Sequence, residues 1–197
     1  MDLIEEGFDL ALRAHSQPLP DSSLIQRTIA PTPWALFAGR SYLDRCGVPT
    51  SPDELSQHTG LLLKNMTSEN CWRLRRGRSE AIAIPFKPKL CSDDICTLKT
   101  AAEAGIGIVA LPAYLCEAEV RRAKLVRVIP QWTAGYATIS LLAPSRRGFL
   151  PSIRALWNFL ALEFEAYFRS GNFDIEKEVS DNLLGDNFRS AAPVEVP

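Results

Sequence analysis

The stretch that most constrains this chain is TAAEAGIGIVALP, residues 100–112. Leu98, Ala101, Ala102 and Ile106 follow a helical spacing, and Gly105 offers the left-handed backbone that ends a helix. Ile108-Val109-Ala110-Leu111 is then a continuous apolar run, as a parallel strand shows when both of its faces are covered. Pro112 has no N–H to donate and stops it. A helix folded back onto a parallel strand is one step of an α/β sheet, and such sheets bind ligands outside the carboxyl ends of their strands. Ser92 to Asp94, at the expected helix start, and Pro112 to Tyr114, after the strand, therefore edge one candidate cleft.

The rest of the chain supplies more of the same alternation. Phe8 to Arg13 alternates like a strand, with Phe8, Leu10 and Leu12 on one face. Residues 2–6 read as a short helix closed by Gly7, and residues 16–23 (SQPLPDSS) as a turn-rich loop. Residues 24–39 are extended, and Pro31 and Pro33 break the ladder after Ala30, which predicts a bent crossover between two lobes. Residues 41–47 predict a short helix stopped by Gly47, and Ser51-Pro52-Asp53-Glu54 a helix start with a serine cap. Strands are expected at 61–63, 71–75 and 81–90, the last two joined by a hairpin turn at 76–79, and then at 125–128 and 139–143. Ser92 is expected to cap a helix beginning at Asp93, with a further helix at 114–124. The helix at 151–168 carries Ile153, Leu156, Trp157, Leu160, Phe164 and Phe168 on one face.

Composition excludes several functions. Hydrophobic residues are 46 % and charged residues 23 % of the 197, with a net charge of −1, so no basic field announces nucleic-acid binding by this segment. Residues 171–197 carry a net −4, which leaves only +3 on the rest and marks an acidic tail expected to be disordered. The five cysteines have no CxxC pair and the two histidines stand far from them, so neither a zinc site nor a disulfide framework is expected. No apolar run reaches a membrane span and the N-terminus lacks a basic signal region, which points to the cytoplasm. The glycines of GIG follow a helix and precede a strand, the reverse of a dinucleotide fingerprint. No nucleophile, base and oxyanion set assembles, so no catalytic residue, metal or cofactor is expected. Ser145-Arg146-Arg147 reads as a solvated basic turn.

Six pieces of the sequence match one family in order and spacing: DLIEEGFDLALR (2–13), LPDSSLIQRTIAP (19–31), SYLDRCGVPTSPDELSQH (41–58), AAEAGIGIVALP (101–112), LVRVIPQW (125–132) and APSRRGFLPSIRALWNFL (143–160). Over residues 2–168 the chain resembles the effector-binding domain of LysR-type transcriptional regulators, which has the type 2 periplasmic-binding-protein fold. The resemblance implies an α/β, two-lobed, doubly wound domain over 1–168, with lobe I at 1–30 and 145–168, lobe II at 31–144, two crossover strands and a tail at 169–197. Relatives begin with a winged helix-turn-helix and a strand, helix and strand that this sequence does not show, so an N-terminally shortened first lobe is expected.

The implied function is sensing of a small organic effector held between the lobes, with closure altering a homodimer or tetramer. DNA would be read only by a helix-turn-helix outside these residues. A stand-alone solute-binding protein of the same fold, or a dimerising fragment that binds no DNA, are the alternatives. Candidate effector contacts are Arg13, His15, Thr32, Pro33, Ser92, Asp93, Asp94, Pro112 and Tyr114. Each has a plain structural reading as well: a strand end for Arg13 and His15, hinge geometry for Thr32 and Pro33, and packing for Tyr114. For Ser92 to Asp94 the plain reading is capping and dipole compensation. If the acids there do meet an effector, they favour hydroxyl or amine donors over a carboxylate.

Overall fold

The structure is a computed structural model that describes residues 7–16, 19, 24–64, 70–144 and 150–170. Its strands are β1 (Ala11–His15), β2 (Leu24–Gly39), β3 (Thr59–Leu63), β4 (Cys71–Leu74), β5 (Ile82–Pro85), β6 (Lys87–Ser92), β7 (Ile108–Pro112), β8 (Leu125–Val128) and β9 (Tyr136–Pro144). The helices are α1 (Arg40–Cys46), α2 (Ile95–Glu103), α3 (Glu117–Arg121) and α4 (Pro151–Ser170), with 3-10 turns at Asp53–Gln57 and Ala113–Cys116. The sequence expectations at 2–6, 17–18, 20–23, 145–147 and beyond Ser170 lie outside the described residues.

The chain divides into two units. The first comprises the described residues up to Trp34 together with Tyr136 to the end of α4, and the second is Ala35–Gly135. The expected borders at 30/31 and 144/145 thus move to 34/35 and 135/136, because β9 pairs along its whole length with strands of the first unit.

In the first unit β9 lies between β1 and β2, antiparallel to both. Leu141 and Ala143 of β9 pack on Trp157 and Ala161 of α4, with Leu10, Ile25, Ile29 and Leu160 around them. Two expectations fail here. The bend at Asp9 delays the strand to Ala11, so Leu10 turns to the core while Phe8 and Leu12 stay exposed. The prolines do not interrupt β2, which runs on with Pro31 opposite Thr138 and Pro33 opposite Tyr136. Placed two residues apart, the prolines leave their missing donors on one edge only, and the Thr32 hydroxyl between them donates to the Ala137 carbonyl at 2.9 Å. The face expected of α4 is mostly right: Trp157 and Phe168 are buried and Leu160 and Phe164 half-buried. Leu156 is exposed and Ala161 takes the inward place.

The second unit is a sheet in the order β8–β2–β7–β3–β6, in which β3 is parallel to both β6 and β7. The helix–glycine–strand step stands as expected. Gly105 has φ +76°, its N–H donates to the Ala102 carbonyl at 2.9 Å, and the Ile106 N–H donates to the Ala101 carbonyl at 3.1 Å. These two bonds form a Schellman close. Behind it Leu98, Ala102, Ile108, Val109 and Leu111 are fully buried. Gly47, at φ +84°, stops α1 as expected.

Residues 81–90 form two strands where one was expected. β5 pairs antiparallel with β4, and after Phe86 the chain leaves that hairpin and pairs β6 parallel to β3. Phe86 is the pivot: its ring stacks on Trp72 at 4.2 Å and fills the space above Gly60, where a Cβ would lie 1.9 Å from it. The expected helix at 114–124 is a 3-10 turn followed by the short α3, within which Arg121 pairs with Glu117 at 2.8 Å. The start at Ser51 also differs. Only a 3-10 turn forms, Ser51 is not its cap, and the Thr50 N–H donates to the Glu54 carboxylate at 2.8 Å.

A polar contact closes the end of this core. The Tyr42 hydroxyl accepts the Thr59 N–H at 2.9 Å and lies 3.1 Å from Nδ1 of buried His58. Burial holds the His58 imidazole below its ordinary range, with Glu54 opposing in part. A histidine whose folded value is lowered stabilises above its unfolded value of 6.5, and that stability is lost as the pH falls through the folded value. Stability is therefore expected to drop between pH 7 and pH 5, and His58→Gln to flatten that slope in chemical denaturation. Equal slopes in both proteins would contradict this.

Candidate functional site

The parallel strands of the second unit end together. Leu63 of β3 pairs with Ser92 of β6, and the Lys64 N–H donates to the Ser92 carbonyl at 2.9 Å. On the other side Gly60 and Leu61 pair with Ile108 and Val109, a register that brings Pro112 level with Lys64. One carboxyl edge therefore carries Ser92 to Asp94, Lys64, and Pro112 leading to Tyr114. This is the side of an α/β sheet on which ligands bind.

Within this edge the acids have distinct roles. The expected cap, Ser92, is the last residue of β6, and its hydroxyl accepts the Asp94 N–H at 3.0 Å. Asp94 is the cap, and α2 starts at Ile95. Its carboxylate accepts the Thr97 hydroxyl at 2.6 Å, the Thr97 N–H at 2.8 Å and the Cys96 N–H at 3.3 Å. The Thr97 hydroxyl, then the Thr97 and Cys96 backbone bonds, hold its pKa below the ordinary aspartate value. A carboxylate in this state stabilises above the unfolded value of 3.8 and loses that effect as the pH falls through its lower folded value. Asp94→Ala is expected to lower the melting temperature at pH 7, with the difference from the parent shrinking below pH 3.8. A difference independent of pH would contradict the capping role. Asp93 is exposed beside this cap.

Pro112, the last residue of β7, is buried, and Tyr114 is half-buried in the 3-10 turn that follows. Lys99 of α2 ties this turn down. Its ammonium donates to the Leu115 carbonyl at 3.2 Å and to Glu119 of α3 at 3.1 Å. Beneath it the Cys116 thiol is pushed up to about 12 by burial, and is therefore protonated and unreactive at neutral pH. Lys64 is the edge residue that the sequence did not single out, and it is exposed.

The remaining candidates stand in the first unit. Arg13 is exposed on β1 opposite Ser140. His15 Nε2 lies 3.0 Å from the fully buried Ser140 hydroxyl, which also accepts from Gln26 Nε2 at 3.2 Å. Thr32 is buried with its hydroxyl proton committed to Ala137, and Pro33 is buried beside it. The structure thus gathers Ser92, Asp93, Asp94, Pro112 and Tyr114 on one edge of the second unit. It gives His15 and Thr32 partners on β9. Ser140 and Gln26 were missed; a lone serine in the apolar run ISLLA was the available signal. Among the described residues no group of three or more His, Cys, Asp or Glu could hold a metal ion, and no helix is long and apolar enough to cross a membrane.

The family model described as the LysR substrate binding domain matches residues 1–165. The chain belongs to this family. This LysR domain is 33 % identical over 147 residues to an HTH-type transcriptional regulator of Haemophilus influenzae, covering 75 % of the chain and 50 % of that protein. It is also 33 % identical over 172 residues to an HTH-type transcriptional regulator of Xanthomonas campestris, covering 84 % and 49 %. It therefore spans about half the length of these curated relatives. Among solved structures, the regulatory domain of CrgA, a LysR-type regulator of Neisseria meningitidis, matches with a TM-score of 0.70 at 24 % identity, over 82 % of this chain and 78 % of that one. The regulatory domain of AphB from Vibrio vulnificus matches with a TM-score of 0.68 at 23 % identity, over 81 % and 77 %. The fold is that of LysR regulatory domains, as the sequence pieces implied. The family is described as a substrate-binding domain, and these relatives are named as HTH-type transcriptional regulators.

Proposed function

We propose that this LysR domain senses a small organic effector at the carboxyl edge of β3, β6 and β7, within a cytoplasmic transcription regulator that works as a homodimer or tetramer. DNA is then contacted by a helix-turn-helix of the kind for which the relatives are named. The observation that carries the reading is the convergence on one edge of Ser92, Asp93, Lys64 and Tyr114 in a chain that belongs to this family over 1–165. Asp94 already satisfies the Cys96 and Thr97 N–H groups, so the helix start offers no vacant anion cradle there. The effector class favoured is one with hydroxyl or amine donors for Asp93 and the Ser92 hydroxyl, and an acceptor for Lys64. Arg13, His15, Thr32 and Pro33 are carried as first-unit candidates on the same test.

The test is a thermal-shift screen of small phenols, hydroxy acids, amines and carboxylates against the full chain. A ligand present at a hundred times its Kd adds about 2.7 kcal/mol, a rise of roughly 5–10 °C for a domain of this size. Ser92→Ala, Asp93→Asn and Lys64→Ala are expected to reduce the shift while leaving the unliganded melting point nearly unchanged. A hit whose shift none of these variants alters would overturn the edge as its site. No shift across the library would overturn the sensing reading.

A further inference from the structure

The cations of the second unit crowd onto one part of it. From Asn70 to Ser92 the chain carries Arg73, Arg75, Arg76, Arg78, Lys87 and Lys89 against a single acid, Glu80. All six cations are exposed. The fold sets them side by side. Trp72 and Leu74 are buried, so Arg73 of β4 and Arg75 just after it take the outer side, with Arg73 opposite exposed Ala83 of β5. Arg76 and Arg78 stand in the turn, which the Ser79 N–H closes on the Arg76 carbonyl at 3.2 Å. Lys87 and Lys89 follow on β6, an edge strand of its sheet. Arg75, Arg76, Lys87 and Lys89 form no ion pair with any of the described residues.

Lysines on an edge strand guard a sheet against extension, which accounts for Lys87 and Lys89 but not for Arg75 and Arg76. A dense field of one sign on an exposed hairpin attracts the opposite sign, and the chain carries such a partner itself. Residues 174–186 hold Asp174, Glu176, Glu178, Asp181 and Asp186 against Lys177, a net −4. Asp186 lies sixteen residues beyond Ser170, the end of α4. That is a reach of up to roughly 55 Å, more than the ~35 Å breadth of a unit of about a hundred residues. A tethered segment meets its partner at an effective concentration on the order of a millimolar, so a weak attraction suffices. A free polyanion competes with that segment and is repelled by the same acids.

We propose that the acidic segment 174–186 docks on the arginine-rich β4–β5 hairpin and on Lys87 and Lys89 beside it, within the same chain. The contact is electrostatic and exposed, so salt weakens it and reversal of the hairpin charge removes it. It also gives the hairpin a fixed occupant, which any other anionic partner has to displace. All the cations concerned are exposed, so reversing two of them leaves the buried row of the hairpin untouched.

The test is carbodiimide coupling of the full chain, which joins a carboxylate to an amine only where the two already touch. Mass spectrometry of the digest is expected to find links from Lys87 or Lys89 to residues 174–186. An equal mixture of isotopically light and heavy protein separates links within one chain from links between two. The yield is expected to fall about five-fold or more in about 0.5 M NaCl, where exposed charges are screened beyond a few ångströms. Arg75→Glu/Arg76→Glu keeps both coupling amines and is expected to cut the yield as far, with far-UV circular dichroism unchanged. Arg122→Glu/Lys124→Glu, an equal change of charge at the exposed end of α3, is expected to leave it within about two-fold. Links spread evenly over Lys64, Lys99 and Lys124, links between chains only, or a yield indifferent to Arg75→Glu/Arg76→Glu would each overturn the docking. So would a parent without these links whose hairpin cations retard a short random-sequence DNA duplex, which assigns the hairpin to nucleic acid.

Discussion

Gly39→Ala is expected to be among the most damaging single substitutions in this domain, lowering the melting temperature by roughly 6–12 °C, for a cost of about 3 kcal/mol. Gly39 closes β2 and caps α1 with an ordinary extended backbone, so conformational freedom is not at stake. The constraint is space. A Cβ there would lie 2.4 Å from the Ala102 carbonyl oxygen and 2.8 Å from that of Glu103. Both atoms are backbone at the end of α2, and no rotamer change relieves them. α2 is in turn held by its Schellman close at Gly105, whose carbonyl accepts from Arg45 of α1 at 2.7 Å. Relief requires β2 and α2 to part, at the expense of fully buried Ala38, Leu98 and Ala102. A fall of under about 2 °C in a thermal melt, less than 1 kcal/mol for a chain of this size, would show that the contact relaxes cheaply.

Trp72→Ala is the second large effect, expected to cost about 3–5 kcal/mol. β4 and β5 form a two-stranded sheet of their own, and an isolated hairpin has little stability in water. What holds it is its inward row of Trp72, Leu74, Ile84 and Phe86, all part of the second unit's core. Backbone bonds help at two points: Arg75 and Thr133 exchange two at 2.9 Å, and the Phe86 N–H donates to Asn70 at 3.0 Å. Removing the indole takes away the Phe86 stack and leaves a cavity behind it. Hydrogen exchange is expected to show β4 and β5 losing protection well before β3 and β7. Ile82→Ser on the outer side of the same hairpin is the control, with a change within about 0.5 kcal/mol. Uniform loss of protection across both sheets in Trp72→Ala would refute the local account.

These two positions also mark what the sequence could and could not convey. The step from α2 to β7 was readable because its signals are local: a periodic helix, a glycine with positive φ and an unbroken apolar run. Gly47 and the strand β8 were readable for the same reason. The split at Phe86 was not, since it depends on Gly60 leaving room for the ring from a strand more than twenty residues away. Pro31 and Pro33 misled because a proline's effect on a ladder depends on which edge its nitrogen faces, and pairing alone decides that. The cap of α2 was misplaced from Asp94 to Ser92 because Ser, Asp and Asp are all capping residues, and only the last meets the first turn.

The candidate edge was half legible. Its two ends follow a helix start and a strand end that pattern reveals. Lys64 enters through the parallel register of β3 with β6, a long-range fact with no trace in the local sequence. The His15 and Ser140 contact joins residues 125 positions apart and was equally hidden. Leu12 and Leu156 share the periodic apolar faces seen in the sequence yet lie exposed, because period alone cannot distinguish a face that meets a neighbour from one that meets water.

The discontinuity of the first unit has a consequence for how the chain comes to be folded. Residues 35–135 are continuous and contain every partner that β3, β6, β7 and β8 require. β1 and the leading half of β2 pair instead with β9, and the apolar residues beneath them wait for α4. At ordinary elongation rates the ribosome needs on the order of ten seconds to travel from the end of that leading half to the end of β9. For that interval the second unit can close while Leu10, Ile25 and Ile29 still wait for β9 and α4. β1 and the leading half of β2 are thus made before the second unit and paired after it, which leaves them the longer open to aggregation and to proteases.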